Sequence, residues 1–95
     1  MAFVQLPEVR LEYFEHGHGP RTVVFVHGYQ ASARIWHRVQ RALPADAYRS
    51  IAVNNRGAGA SDAPPEERDF TIQKFASDLH ALVQTLGLTR FTLVG

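Results

Sequence analysis

The stretch Thr22-Val23-Val24-Phe25-Val26-His27-Gly28-Tyr29-Gln30 organises the fold predicted for the rest of the chain. Its four consecutive apolar residues, mostly β-branched and without alternation, are typical of a strand buried on both faces of a parallel sheet. A glycine directly after such a strand lets the backbone turn sharply. Because ligands of open α/β sheets bind at the carboxyl ends of the strands, this pattern predicts a site centred on Gly28 and Tyr29.

Composition predicts one small globular domain that binds neither nucleic acid nor a membrane. The chain has 95 residues, of which 45% are hydrophobic, and its ten Lys and Arg against nine Asp and Glu are scattered along it. No basic stripe is present for nucleic acid or anionic lipid, and no segment reaches the roughly 18 to 20 apolar residues of a membrane span. The absence of cysteine excludes disulfides and thiolate zinc sites. Without a recognisable secretory signal, a cytoplasmic location is expected.

The first part of the chain predicts two short strands before the central one. Residues 3–6 and 9–14 are β-prone and are separated by Pro7-Glu8, which indicates neighbouring antiparallel strands. Alternation in the second strand places Arg10 and Glu12 on a wetter face. After the central strand, Ser32 is a plausible N-cap for a helix that Pro44 ends. One face of that helix carries Ile35, Trp36, Val39 and Leu43.

The second part predicts a strand, a helix and a strand. Residues 51–53 form an apolar strand that runs into a turn of small residues at 54–62. The clearest helix extends from an N-cap at Thr71 to residue 86, with Gly87 in the left-handed position that follows a helix. Residues 91–94 predict another buried strand. The order β-β-β-α-β-α-β predicts an α/β fold whose sheet is mostly parallel with an antiparallel start.

Two helices cannot cover both faces of a sheet of about five strands. Residues 1–95 are therefore expected to be an incomplete domain.

Four motifs in this order carry a resemblance to a known family. From residue 23 to 95, the chain resembles the amino-terminal part of an α/β-hydrolase of the esterase, haloperoxidase and carbon–carbon-bond hydrolase group. The motifs are His27-Gly28-Tyr29, Trp36 nine residues beyond that His, Arg56-Gly57-Ala58-Gly59-Ala60-Ser61, and Leu86-Gly87-Leu88 with Leu93-Val94-Gly95.

The resemblance implies roles for the residues around His27. Gly95 would be the first glycine of the nucleophile elbow, so the nucleophile, the general-base His and its carboxylate partner would all follow this chain. The backbone N–H of Tyr29 would form half of the oxyanion hole, Gly28 would permit its orientation, and the Tyr29 side chain would line the acyl pocket. His27 would orient its own loop and would not be the general base. The alternative is that His27-Gly28 only makes a tight turn.

Other motifs point less well to chemistry. Gly57-x-Gly59-x-x-Asp62 lacks the third glycine of a dinucleotide fingerprint, and Ser61 sits in an elbow-like sequence that does not open into a helix. His16-x-His18 has no third metal ligand at suitable spacing, and its glycines indicate a mobile loop. The remaining candidates, His37, His80 and Asp78, are expected at the surface or at its boundary.

The function predicted is that of a serine hydrolase segment acting on a small-molecule ester or acyl substrate, with no cofactor and no metal, and completed by the remaining carboxy-terminal part of the same hydrolase. Epoxide hydrolases and dehalogenases of the family often carry Pro where this chain has Gln30, which favours esterase, lactonase or carbon–carbon hydrolase chemistry. A binding module without a working triad and a nucleotide-binding domain are alternatives. Asn54 replaces the Asp usual in the family, a change expected to affect local pairing with Arg56.

Overall fold

A computed structural model of the chain describes residues 2–28 and 30–95, which form a five-stranded mixed sheet. The sheet has the order β1-β2-β4-β3-β5. β2 runs antiparallel to β1 and β4, whereas β3 lies parallel to both β4 and β5. This arrangement confirms the predicted antiparallel start and parallel continuation. The strands are Ala2–Gln5 (β1), Arg10–His16 (β2), Arg21–Val26 (β3), Tyr48–Val53 (β4) and Thr92–Val94 (β5).

Two α-helices cover opposite faces of this sheet, with short 3₁₀ helices beside them. His37–Ala42 (α1) follows a 3₁₀ helix at Ala33–Trp36, and Ile72–Thr85 (α2) follows another at Glu67–Asp69. α2 begins as predicted, because the Thr71 side chain accepts a hydrogen bond from the Lys74 N–H. It ends before Gly87, whose φ of 70° is the left-handed conformation expected there.

The core consists of two apolar clusters, one on each face of the sheet. On the α2 side, Leu82 and Val83 pack against residues of β1, β2 and β4. On the α1 side, the Trp36 ring stacks on Phe25 of the central strand with ring centroids 4.9 Å apart. Val24 and Phe25 are buried, which confirms the prediction of a strand covered on both faces.

The helix after the central strand differs from its prediction. Trp36 and Leu43 pack on the core, but Ile35 and Val39 are exposed. A 3₁₀ helix has about three residues per turn, so its opening turn shifts the phase of the side chains that follow. Gln40 occupies an inward position instead, where its Nε2 donates to the Phe14 carbonyl at 3.0 Å.

The last strand was predicted to be buried and is instead at the edge of the sheet. β5 pairs with β3 alone among the described residues, and Leu93 is 52% exposed. No described element packs over the Leu93 side chain, so pairing with β3 on one side alone leaves it exposed.

The glycine-rich loop after β2 is held more firmly than the sequence indicates. The His18 N–H donates to the Ala45 carbonyl at 2.8 Å, and the Gly19 N–H donates to the Tyr48 carbonyl. The backbone of this loop, which the sequence predicts to be mobile, lies directly against the segment that leads into β4.

The register of the sheet places the loops after β3 and β4 side by side. Val26, the last residue of β3, pairs with Val53, the last residue of β4. The segments that follow the two strands therefore leave the sheet at the same edge.

No helix in the described part of the chain is both long enough and apolar enough to cross a membrane.

Candidate active site

A cavity of about 880 Å³ opens at the carboxyl ends of β3 and β4. Its walls come from the loop after β3, the loop after β4 and the start of α2. This is the edge at which the sequence predicts the site. The described residues that line the cavity are Val26, His27, Gly28, Gln30, Ala31, residues 55–59, Phe70, Ile72 and Phe75.

The imidazole of His27 is buried and hydrogen-bonded through both ring nitrogens. Its Nε2 lies 3.0 Å from the Asn55 backbone nitrogen, whose N–H can only donate, so Nε2 is the acceptor and carries no proton. The proton of the neutral ring is therefore on Nδ1, which donates to the Gly28 carbonyl at 2.9 Å. Because neither nitrogen retains a free lone pair or proton, this ring connects two loops and is not poised to accept a proton from a substrate.

The loop after His27 is a tight turn. The Gly28 carbonyl also accepts a hydrogen bond from the Ala31 N–H at 3.2 Å, which closes a turn over residues 28–31. Gln30, the third residue of this turn, has a φ of 57°. The prediction for Tyr29 falls outside the described residues, so the structure does not describe the proposed oxyanion donor.

The backbone of Gly28 does not adopt the left-handed region that favours glycine. Its φ is not positive, whereas that of Gln30 is. A Cβ at position 28 would meet nothing within 4 Å. A hydrogen atom in place of a side chain at Gly28 leaves the adjacent part of the cavity open.

The loop after β4 is anchored by a buried polar cluster of Glu12, Asn54 and Ser61. The Asn54 amide donates to Glu12 Oε1 at 2.9 Å, and its Oδ1 accepts from the Ala33 N–H at 2.8 Å. Ser61 Oγ accepts from the Glu12 N–H at 2.8 Å and donates to the Asn54 carbonyl at 2.7 Å. Both hydrogen bonds of Ser61 Oγ thus hold the loop in place.

The prediction that Glu12 lies on a wetter face of the sheet is wrong, because only 5% of the residue is exposed. The residues of β2 alternate as expected, but the loop at 54–62 folds over the outward face and covers this carboxylate. The Ala60 N–H donates to Glu12 Oε1 at 2.9 Å. Gly59 passes so close that a Cβ there would lie 2.3 Å from Asn54 Nδ2, so the cluster requires a residue without a side chain.

Arg56 and Asp78 form a buried ion pair that connects this loop to α2. Arg56 Nε and Nη2 donate to the two oxygens of Asp78 at 2.8 and 2.7 Å, and Nη1 donates to the Asp69 carbonyl at 3.1 Å. The hydrogen bonds to Asp78 raise the pKa of Arg56, so its charge is permanent. The prediction that Asp78 is solvated is wrong, because the residue is only 6% exposed and its carboxylate accepts both hydrogen bonds from the buried Arg56 guanidinium.

The pairing expected between position 54 and Arg56 is replaced by two separate interactions. Arg56 pairs with Asp78, and Asn54 pairs with Glu12. A neutral amide at position 54 can donate to Glu12, which a carboxylate could not do. The Asn that departs from the family pattern is thus explained by the buried Glu on the neighbouring strand.

The other titratable candidates lie away from the cavity. The His37 ring packs edge-on against Phe14, half-buried, and His80 is exposed. Among residues 2–28 and 30–95, no group of three or more His, Cys, Asp or Glu side chains is arranged to hold a metal ion.

Sequence reasoning missed the apolar wall of the cavity and the two carboxylates that hold the loops. Phe70, Ile72 and Phe75 line the cavity, and Ile72 is 78% exposed. The sequence signal for Ile72 and Phe75 is the helical spacing of apolar residues over 72–86. An arginine in a loop of small residues is the signal for a buried carboxylate, but the sequence contains nine acidic residues and does not identify which one is the partner.

Comparison with known proteins assigns the fold. A family model described as the alpha/beta hydrolase fold matches residues 21–95. A bifunctional epoxide hydrolase from Sus scrofa is 34% identical over 89 residues, which are 94% of this chain and 16% of the relative.

A bromoperoxidase and an esterase are among the solved structures that are similar throughout the chain. A bromoperoxidase from Bacillus anthracis superposes with a TM-score of 0.87 at 36% identity and covers 99% of this chain and 34% of its own. An esterase from Exiguobacterium antarcticum superposes with a TM-score of 0.85 at 33% identity, over 98% of this chain and 34% of its own. The chain thus spans between about a sixth and a third of the length of these three proteins.

The buried ion pair predicts a large loss of stability for Asp78→Ala. Because the Arg56 side chain is only 1% exposed, removal of its partner leaves an uncompensated buried charge, and the free energy of unfolding should fall by about 3–5 kcal/mol. Urea unfolding of the native protein measures the change. The matched control is Glu15→Ala, which removes a partly exposed pair with Arg49 and should cost about 0–1 kcal/mol. Replacing both partners, as Arg56→Met with Asp78→Leu, should restore much of the stability.

The polar cluster predicts that Asn54→Asp destabilises the fold in a pH-dependent way. The new carboxylate would face Glu12 at the position of a 2.9 Å hydrogen bond, and the loss should be about 1–3 kcal/mol at neutral pH. Two facing carboxylates raise the pKa of the pair in the folded variant, whereas in the unfolded chain both groups ionise near pH 4. The folded variant therefore holds a proton that the unfolded chain has released. Its free energy of unfolding should fall as the pH rises above about 4. Urea unfolding at several pH values measures this, and adding Glu12→Gln should recover part of the loss. Equal pH dependence of the variant and the parent protein would contradict the assignment.

Proposed function

Because the chain belongs to the α/β-hydrolase fold family, we propose that it forms the amino-terminal part of an enzyme that cleaves a carboxylic ester or a related acyl bond. The observation that carries this proposal is the fixed Gly28 carbonyl, which accepts hydrogen bonds from His27 Nδ1 and the Ala31 N–H. Acyl transfer places negative charge on a carbonyl oxygen in its tetrahedral intermediate. A site that stabilises this charge needs a backbone N–H held in a fixed direction before the reaction begins.

Fixing the Gly28 carbonyl supplies such a direction. The peptide group is planar and its N–H points away from its C=O, so holding one holds the other. The N–H that follows the Gly28 carbonyl belongs to Tyr29, and we assign it as one donor of the oxyanion hole. Tyr29 lies outside the described residues, so the role is part of the proposal. A fixed donor of this kind lowers the barrier by about 2.7–4 kcal/mol.

His27 would act as a positioning residue and not as the general base. Its Nδ1 proton supports the Gly28 carbonyl while Nε2 accepts from Asn55. The neutral tautomer requires no proton to move during the reaction, so the loop would stay in place at each step. Gly28 would keep the space beside the scissile carbonyl open, and the Tyr29 side chain would line the acyl pocket.

The backbone of Gln30 favours acyl chemistry over epoxide opening or dehalogenation. Its φ of 57° is closed to proline, whose ring fixes φ near −65°. In the family that this chain resembles, Pro at this position is common in epoxide hydrolases and dehalogenases.

Epoxide hydrolysis is the second candidate, because the Sus scrofa relative is named a bifunctional epoxide hydrolase and is 34% identical. Both candidates place a small molecule in the same cavity and differ in the atom that is attacked. A binding module with the same pocket but no working triad is the non-enzymatic alternative.

The remaining parts of the enzyme are also proposals. The nucleophile would follow Gly95, and the general-base His and its carboxylate partner would lie further along the polypeptide or on a companion chain. The carboxy-terminal part of the hydrolase would cover exposed apolar side chains such as Leu93. That the protein binds no nucleic acid and lies in the cytoplasm remains a prediction from its sequence.

The test uses the native protein as it is purified, together with every polypeptide that is continuous with these 95 residues or bound to them. The preparation is incubated with a fluorophosphonate probe, which labels activated serines, and analysed by denaturing mass spectrometry. Turnover of p-nitrophenyl butyrate and of styrene oxide is measured before and after labelling. We expect ester hydrolysis that is lost when the probe adds to one polypeptide, and no addition to a heat-denatured control. Consumption of the epoxide without ester hydrolysis would favour the second candidate, and turnover of neither would contradict both.

A further inference from the structure

Gln30 has an unusual backbone conformation beside the cavity. Within residues 2–28 and 30–95 it is the one non-glycine residue with a positive φ. A left-handed backbone costs an L-residue with a side chain about 1–2 kcal/mol, and glycine or asparagine is preferred at this position of such a turn. The backbone alone therefore does not favour a glutamine here.

Packing does not favour a glutamine either. The Gln30 side chain is exposed, and its amide makes no hydrogen bond with the described parts of the chain. It lines the cavity together with His27 and Gly28. Strained backbone residues are concentrated at functional sites. A role in ligand binding would therefore account for the Gln30 side chain.

The surroundings of Gln30 define the group that its amide could bind. Phe70 and Phe75 give the cavity an apolar wall, so an oxygen of a ligand enclosed there would lose its hydrogen bonds to water unless a protein group replaced them. Arg56, the one charged Lys, Arg, Asp or Glu among the described lining residues, is already neutralised by Asp78, and three of its five N–H groups donate to Asp78 and to the Asp69 carbonyl. The cavity is therefore better matched to a neutral oxygen than to an anion.

We propose that Gln30 is a specificity-determining residue whose amide hydrogen-bonds a second, neutral oxygen of the substrate. The inference rests on the proposed ester hydrolysis. Gln30 follows the proposed oxyanion donor Tyr29 directly, so its amide serves atoms close to the scissile carbonyl. The substrate class is an ester whose acyl group carries an ether, hydroxyl or carbonyl oxygen near that carbonyl. An amide suits all three, because it both donates and accepts.

A matched pair of substrates tests this in the native protein. p-Nitrophenyl methoxyacetate and p-nitrophenyl butyrate differ only in an ether oxygen that replaces a methylene group. The measured quantity is the ratio of their kcat/KM values, because the intrinsic difference in reactivity cancels when the same ratio is compared between variants. Gln30→Met removes the amide and retains the length of the side chain. The ratio should fall about three- to tenfold, as expected for one neutral hydrogen bond.

The matched control is Gln73→Met on the exposed surface of α2, outside the cavity, which should leave the ratio unchanged. A ratio that is the same in Gln30→Met and the parent protein would overturn the inference, even if both rates fall by one common factor, and it would leave ester hydrolysis established. Hydrolysis of neither ester by the parent protein would instead overturn the proposed function, and the inference with it.

Discussion

The hydrogen bond from the Asn55 N–H to His27 Nε2 is the interaction on which the candidate site depends. It joins the loops that follow two adjacent parallel strands, and it determines which ring nitrogen carries the proton. With Nε2 as acceptor, Nδ1 is left to support the Gly28 carbonyl. If the loop after β4 moved, the ring would lose the partner that defines its tautomer, and the turn over residues 28–31 would lose one of its two supports.

That loop is held from two directions by buried polar interactions. On one side, Glu12 of β2 accepts hydrogen bonds from Asn54 and from the Ala60 N–H. On the other, Arg56 is fixed to Asp78 in the middle of α2. An antiparallel strand and a helix on one face of the sheet therefore both determine where Asn55 lies. Such buried charges are costly to desolvate and contribute little net stability, and we interpret them as fixing the position of the loop.

How much of this is predictable from the sequence depends on whether a residue acts locally. The burial of Val24, the N-cap at Thr71 and the left-handed Gly87 follow from neighbouring residues, and the structure confirms them. Glu12 and Asp78 were placed at the surface because each lies at a polar position of its own element. Their burial arises from a loop that is distant in the chain, and periodicity within one strand or helix contains no information about it. Position 30 is similar, because its left-handed backbone belongs to a turn whose closing hydrogen bond the sequence does not reveal.

The measurement that tests the central assignment most directly is the tautomeric state of His27, read from long-range ¹H–¹⁵N NMR correlations of the native protein with ¹⁵N-labelled histidine. His27→Asn identifies its signals among those of the five histidines. A neutral ring with the proton fixed on Nδ1 and an unprotonated, hydrogen-bonded Nε2 is the expected result. A proton on Nε2, or rapid exchange between the two tautomers, would contradict the link between Asn55 and the Gly28 carbonyl, and with it the positioning of the proposed oxyanion donor.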